Sequence, residues 1–169
     1  MKKSFTLIEL VTSIFVVVIA LGGIFLLVRQ IIVATSFLPN QLIATYLAQE
    51  GIEIVRNIRD TNWREGENWK AGLEGYGPGQ EGCDVNDGAA LSYDSENLDN
   101  YPNTPLHIYG DFYKQTTLGD STSFKRRIVI NTKTDSEGNE YLEVISYVCW
   151  KERGRTHQVK LIENLYDWY

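Results

Sequence analysis

A chain of 169 residues, 43% of them hydrophobic, has room for one membrane helix and one modest domain, and none for two folded domains. Its 22 acidic residues outnumber 16 basic ones, for a net charge of -6. That balance argues against nonspecific nucleic-acid binding, which needs Lys and Arg to displace counterions from phosphates.

The first element is Phe5 to Val28, FTLIELVTSIFVVVIALGGIFLLV, an apolar run broken by one carboxylate, Glu9. From Leu10 to Val28 there is no charge, and as a helix that stretch covers roughly 28 Å, enough to span a bilayer core. Lys2 and Lys3 precede it and hold that end in the cytoplasm, so the rest of the chain lies outside. A cleaved secretory signal would end in small residues, whereas here the apolar pattern continues through Arg29-Gln30-Ile31-Ile32-Val33, as in an anchor. An acid inside such a run is costly, which marks Glu9 as a functional residue.

Lys2-Lys3-Ser4-Phe5-Thr6-Leu7-Ile8-Glu9-Leu10 resembles the class III signal of type IV prepilins and of the related pseudopilins of secretion systems. The likeness covers the opening of the chain only. It implies that a membrane-embedded prepilin peptidase cuts between Ser4 and Phe5 and methylates the new N-terminus, with Ser4 standing where the family usually has Gly. It further implies a structural subunit of a type IV pilus or pseudopilus, assembled through its apolar helix. The expected partners are other pilin subunits, the prepilin peptidase, the inner-membrane assembly machinery and the membrane itself, and no nucleic acid. The precursor would be a single-pass, N-in protein of the cytoplasmic membrane, and the assembled form a filament at the cell surface. After cleavage the Phe5 ammonium lies one helical turn from Glu9, or within reach of Glu9 on a neighbouring subunit, and such a pair can set subunit register. A buried pair loses about 3–5 kcal/mol when one partner is removed. The plain alternative is an ordinary signal anchor whose acid sits near the headgroups.

The expected fold class is α+β, pilin-like, with a long N-terminal helix packed on a small antiparallel sheet. The expected division is a leader (1–4), a helix (5–62, membrane or filament core 5–33 and amphipathic half 34–62), an acidic loop-rich region (63–123) and a β-meander (124–169). In the amphipathic half Ile43, Leu47, Ile54 and Ile58 align at 3.6 residues per turn, with Gln49, Glu53, Arg56 and Asp60 opposite. Glu50 sits at the edge of that stripe and Gly51 within it, where another backbone can approach closely. Pro39 is expected to kink or interrupt the helix.

From Arg64 to Ser123 there are eleven acidic residues against three basic ones, with nine of the fourteen glycines and three of the four prolines. Gly and Pro punctuate this stretch every few residues, so it reads as loop with short irregular elements. It carries too many aromatics, Trp69, Tyr76, Tyr101 and Phe112 among them, for a disordered linker. Phe124 to Asn131 then alternates Phe124, Arg126, Ile128 and Ile130 against Lys125, Arg127 and Val129. Glu140 to Trp150 is apolar on both faces and reads as a central strand, and His157 to Leu165 returns with Val159, Leu161 and Leu165 inward. A three-stranded meander with an apolar face needs a cover, and the second half of the helix is the long amphipathic element at hand.

Cys83 and Cys149 both lie beyond the anchor, where an even count favours one disulfide, with two free thiols as the alternative. Asp84, Asn86 and Asp87 supply oxygen ligands at short spacing, as in part of a calcium loop, without the full twelve-residue order. Turn formation by Asp and Asn accounts for them better, so no metal or cofactor is expected beyond that Ca²⁺ candidate. Lys125, Arg126, Arg127, Lys151, Arg153 and Arg155 read as solvated strand edges and turns rather than a binding patch. His107 and His157 fit no zinc spacing or triad, and Gly119-Asp120-Ser121 lacks the context of a hydrolase elbow, so no enzyme is expected. The rival from another class is a permanently anchored extracytoplasmic module that binds a sugar or protein ligand and joins no filament.

Overall fold

The computed structural model describes residues 6–77, 81–85, 88–92, 95 and 97–167. One helix, α1 (Leu7–Glu65), is followed by β1 (Ala89–Ala90), β2 (Asp99–Asn100), β3 (His107–Tyr109), β4 (Phe112–Lys114), β5 (Asp120–Ser121), β6 (Phe124–Thr134), β7 (Glu140–Glu152) and β8 (Arg155–Tyr166). This is the α+β arrangement read from the sequence. The chain falls into two compact units, divided between Pro39 and Asn40.

The first unit is bare helix. Every residue from Thr6 to Ile32 is exposed. Pro39 does not interrupt α1, which continues as helix beyond it.

In the second unit a five-stranded antiparallel sheet has the order β2-β1-β6-β7-β8, and a separate three-stranded sheet has the order β4-β3-β5. The expected meander is β6-β7-β8, with β7 between the other two. Its registers are regular, with Ile128 opposite Ser146, and Ser146 opposite Leu161. The β6 edge is covered from the loop-rich region, where Ala89 pairs with Ile128 and the Ile130 N–H donates to the Tyr76 carbonyl at 3.3 Å.

The second half of α1 covers one sheet face. Ile52, Val55 and Ile58 pack with Ile128, Ile130, Leu142, Val144 and Leu165, joined by Trp69, Leu73, Leu91 and Leu98 from the loop-rich region. The buried helix positions among the described residues are Ala44, Leu47, Ala48, Gly51, Ile52, Val55, Ile58 and Arg59. The stripe is therefore rotated from the expected one, with Ile43 and Ile54 only half-buried. Alanines at 44 and 48 let the backbone approach the sheet, which turns the larger neighbouring isoleucines to the flank. Gly51 is the tightest point of that approach: a Cβ there would stand 2.9 Å from Ile128 Cδ1 and 3.0 Å from Ser146 Oγ. The close neighbours are sheet side chains, not another backbone.

The helix ends where its chemistry says it should. The Asn62 amide donates to the Trp69 and Ala71 carbonyls at 3.2 and 2.9 Å. Gly66, at φ +75°, takes the left-handed conformation of a C-terminal cap, and the Glu67 N–H returns to the Asn62 carbonyl at 2.9 Å.

Candidate functional site

The chemistry of the first unit rests on one acid in an apolar helix. Ser4 and Phe5, the expected cleavage pair, lie outside the described residues. Glu9 stands in the first turn of α1 and is exposed with its neighbours. An anionic side chain there is favoured by the partial positive charge of the helix N-terminus. Thr12 and Ser13 do not compete for it: Ser13 Oγ donates to the Glu9 backbone carbonyl at 2.7 Å and Thr12 Oγ1 to the Ile8 carbonyl at 3.0 Å. With those two hydroxyls satisfied within the helix, Glu9 remains as a charged side chain that needs an outside partner when water is removed. The helix is long and apolar enough to cross a membrane.

In the second unit Cys83 and Cys149 are joined, with 6.1 Å between their Cα atoms and 66 residues of sequence separation. The bridge packs under Val129, Ile145 and Tyr147 on the sheet face opposite the helix. Next to it the buried Tyr101 hydroxyl donates to the Cys83 carbonyl at 3.0 Å, and burial pushes its pKa well above the usual tyrosine value. The acidic loop is thus tied to the central strand by a covalent bond and a buried hydrogen bond.

Of the calcium candidates, Asn86 and Asp87 lie outside the described residues. Asp84 faces the Lys125 ammonium at 3.0 Å, which holds its carboxyl below the usual carboxylate range. That ammonium occupies the position a cation would compete for. Among the described residues no group of three or more His, Cys, Asp or Glu is placed to hold a metal.

The expectation of solvated basic residues fails for two of the six. Arg126 and Arg127 are 1% and 0% exposed. Arg126 reaches across to the helix, where its Nη1 donates to the Leu47 carbonyl at 3.1 Å and to Glu50 at 2.8 Å, while Nη2 donates to the Leu91 carbonyl at 2.9 Å. Desolvation lowers its pKa, opposed by the attraction of Glu50. Arg127 Nη1 donates to the Gly82 carbonyl at 2.8 Å, and its guanidinium lies over the Tyr147 ring. Both arginines clamp loop and helix to the sheet. Glu50 at the edge of an apolar stripe was the sequence signal for the first of them. Lys151, Arg153 and Arg155 are exposed, as expected.

Most aromatics of the loop-rich region are packed, Trp69 and Tyr101 fully. Tyr109 and Phe112 remain half-exposed, opposite each other across the β3–β4 hairpin. A cavity of about 290 Å³ is lined by Asp84, Pro105, Lys125, Cys149, Trp150 and Lys151, among others. His157 stacks on Trp150 at 5.3 Å, and His107 lies in β3. Compared with models of protein families, with curated proteins and with solved structures, the chain matches none.

Proposed function

We propose that this chain is a structural subunit of a type IV pilus or a related pseudopilus, cut between Ser4 and Phe5 and assembled through α1. The observation that carries the reading is the pairing of a basic leader and FTLIEL opening with a helix that is exposed from Thr6 to Ile32 and, up to Val28, carries Glu9 as its one charge. A lipid environment satisfies such a surface, and so does a bundle of like helices. Glu9 discriminates between them, because a carboxylate in apolar surroundings seeks a cation and an N-terminal ammonium of a neighbour supplies one. The second unit then coats the outside. Assembly of unlike patches head to tail does not close, so it gives a filament.

Replacing Glu9 by Ala tests this. The variant inserts and is cut as the parent is, since losing a charge eases insertion, and its fibre yield collapses. Normal fibre yield would remove the register role.

A second reading has its own support in the cavity beside Cys149 and Trp150 and in the half-exposed Tyr109 and Phe112. These suit an anchored extracytoplasmic module that binds a small or extended ligand. Under that reading the mature protein keeps Met1 to Ser4.

A further inference from the structure

A second, smaller cavity of the sheet-bearing unit, about 170 Å³, lies where the segment after β1 meets β2 and Gln115, the residue that follows β4. Leu91 and Pro102 give it an apolar side, and Ser92, Ser95, Asp99, Asn100 and Gln115 make the rest of the wall polar. The frame is held by local hydrogen bonds: the Ser92 N–H donates to Ser95 Oγ at 2.7 Å, and the Gln115 N–H donates to Ser92 Oγ at 3.1 Å. Both hydroxyls thus accept within the protein, and neither gives its hydrogen to an acceptor among the described residues. Gln115 is the reverse case. Its Nε2 donates to the Thr104 carbonyl at 3.2 Å and to Thr104 Oγ1 at 2.8 Å, and because a carbonyl only accepts, the amide cannot be turned over. Its Oε1 is buried and has no hydrogen-bond partner, a costly state unless a group in the cavity donates to it. Asp99 and Asn100, adjacent in the edge strand β2, are exposed and make no ion pair or side-chain hydrogen bond among the described residues.

We propose that this cavity binds one pyranose ring of a carbohydrate, held by Asp99, Asn100 and Gln115 with the hydroxyls of Ser92 and Ser95. The wall offers hydrogens from the two serines and acceptors from Asp99 and Gln115, and a sugar hydroxyl both gives and takes at one atom. A bare cation would use the acceptors and leave the serine hydrogens unmet. An anion would meet the Asp99 charge, and an apolar guest would leave Gln115 Oε1 as it is. The Asp99 carboxylate can accept from two neighbouring hydroxyls, and hydrogen bonds to an ionised acceptor are the strong ones. The volume falls below the about 300 Å³ at which drug-sized sites begin, which leaves room for a single ring with Leu91 and Pro102 against its C–H groups. The site lies wholly within the second unit, so it goes beyond the filament reading and does not rest on it.

The test uses the full chain in a detergent without a sugar headgroup, titrated with methyl α-glucoside, methyl α-galactoside and methyl α-mannoside and followed by saturation-transfer NMR. The expected result is saturable transfer to at least one of the three, weakened about tenfold or more by Asp99→Asn and by Gln115→Leu. Thr156→Trp, which fills the larger cavity beside Trp150, leaves that affinity unchanged. Asp99 is exposed, so Asp99→Asn reads the site without disturbing the core. Retention of the Cys83–Cys149 bridge, checked by mass spectrometry, keeps a misfolded Gln115→Leu from passing as a loss of binding. No saturable transfer to any of the three glycosides overturns the proposal, and so does binding that Asp99→Asn leaves intact. Loss on Thr156→Trp alone would move the sugar to the larger cavity and overturn it as well. Calcium ions bound in place of sugar, and released by Asp99→Asn, would overturn it in favour of a cation site.

Discussion

The stretches Thr6 to Ile32 and Ala44 to Arg59 belong to one helix, yet the first buries nothing and the second buries a residue at nearly every turn. The exposed stretch is the more apolar of the two. Its valines, leucines and isoleucines run around the whole circumference, which suits lipid or a bundle of helices and offers no polar back to water. The second stretch is apolar on one stripe only, with Gln49 and Glu53 outward. The difference teaches that hydrophobicity measures how badly a segment needs a non-aqueous neighbour, while the pattern of its polar residues says which neighbour.

If this contrast is right, the stability of the subunit depends on side chains of the second unit and hardly on those of the first. The largest effect is expected from Cys83→Ser with Cys149→Ser. Opening a loop of that length costs up to about 4 kcal/mol on the chain-entropy estimate, read as a lower denaturant midpoint of the detergent-solubilised chain. An unchanged midpoint would mean that the loop-rich region is held by its aromatics and arginines alone. Next comes Arg126→Ala, which strips the Leu47 and Leu91 carbonyls of a buried donor and leaves Glu50 alone, for about 3 kcal/mol. Arg29→Ala, in the bare half, is the matched control and stays within about 0.5 kcal/mol.

The comparison is sharpest between two isoleucines. Ile52→Ala, at 5% exposure, costs about 2–3 kcal/mol through lost burial and the cavity left behind. Ile24→Ala, at 58% exposure, changes the unfolding midpoint of the isolated subunit by less than about 0.5 kcal/mol. Equal losses at the two positions would break the division of the helix into a bare half and a core half.

The meander was legible because Phe124 to Asn131 and β8 alternate in period two, while β7 is apolar on both faces as a strand between two neighbours must be. The two-residue strands β1, β2 and β5 were not, since Ala89-Ala90, Asp99-Asn100 and Asp120-Ser121 carry no strand propensity and pair only because the sheet offers an edge. The helix stripe was read one step off. Ala44 and Ala48 are small, so a search for large apolar residues passes over them, although small residues allow the closest contact. The buried arginines escaped for the opposite reason, as a charge reads as solvent until its partners are known, and those of Arg126 lie on two distant segments. In the candidate site the cysteine pair was readable from its count and position, while Asp84, read as a turn residue with calcium as the lesser candidate, has a partner the local sequence does not reveal, Lys125.

The smallest effect concerns acid. The Lys133 ammonium at 2.6 Å, with the Asn131 amide, holds Glu143 below its ordinary value. A depressed carboxyl contributes stability above its unfolded pKa of 4.5 and loses it as pH falls through the lower folded value. Glu143→Gln should therefore flatten the stability profile below pH 4.5 and lower the plateau slightly at neutral pH. A profile of unchanged slope would place the acid sensitivity elsewhere, with Asp84 and Lys125 the next pair to remove.

The filament reading stands or falls on the first residue of the mature protein. Fibres sheared from the cell surface are digested and the N-terminal peptide is weighed. The account predicts a chain that begins at Phe5 and carries one added methyl group on its amine. A chain from that fraction that still begins Met1-Lys2-Lys3-Ser4 would contradict it, and α1 would then be a permanent anchor.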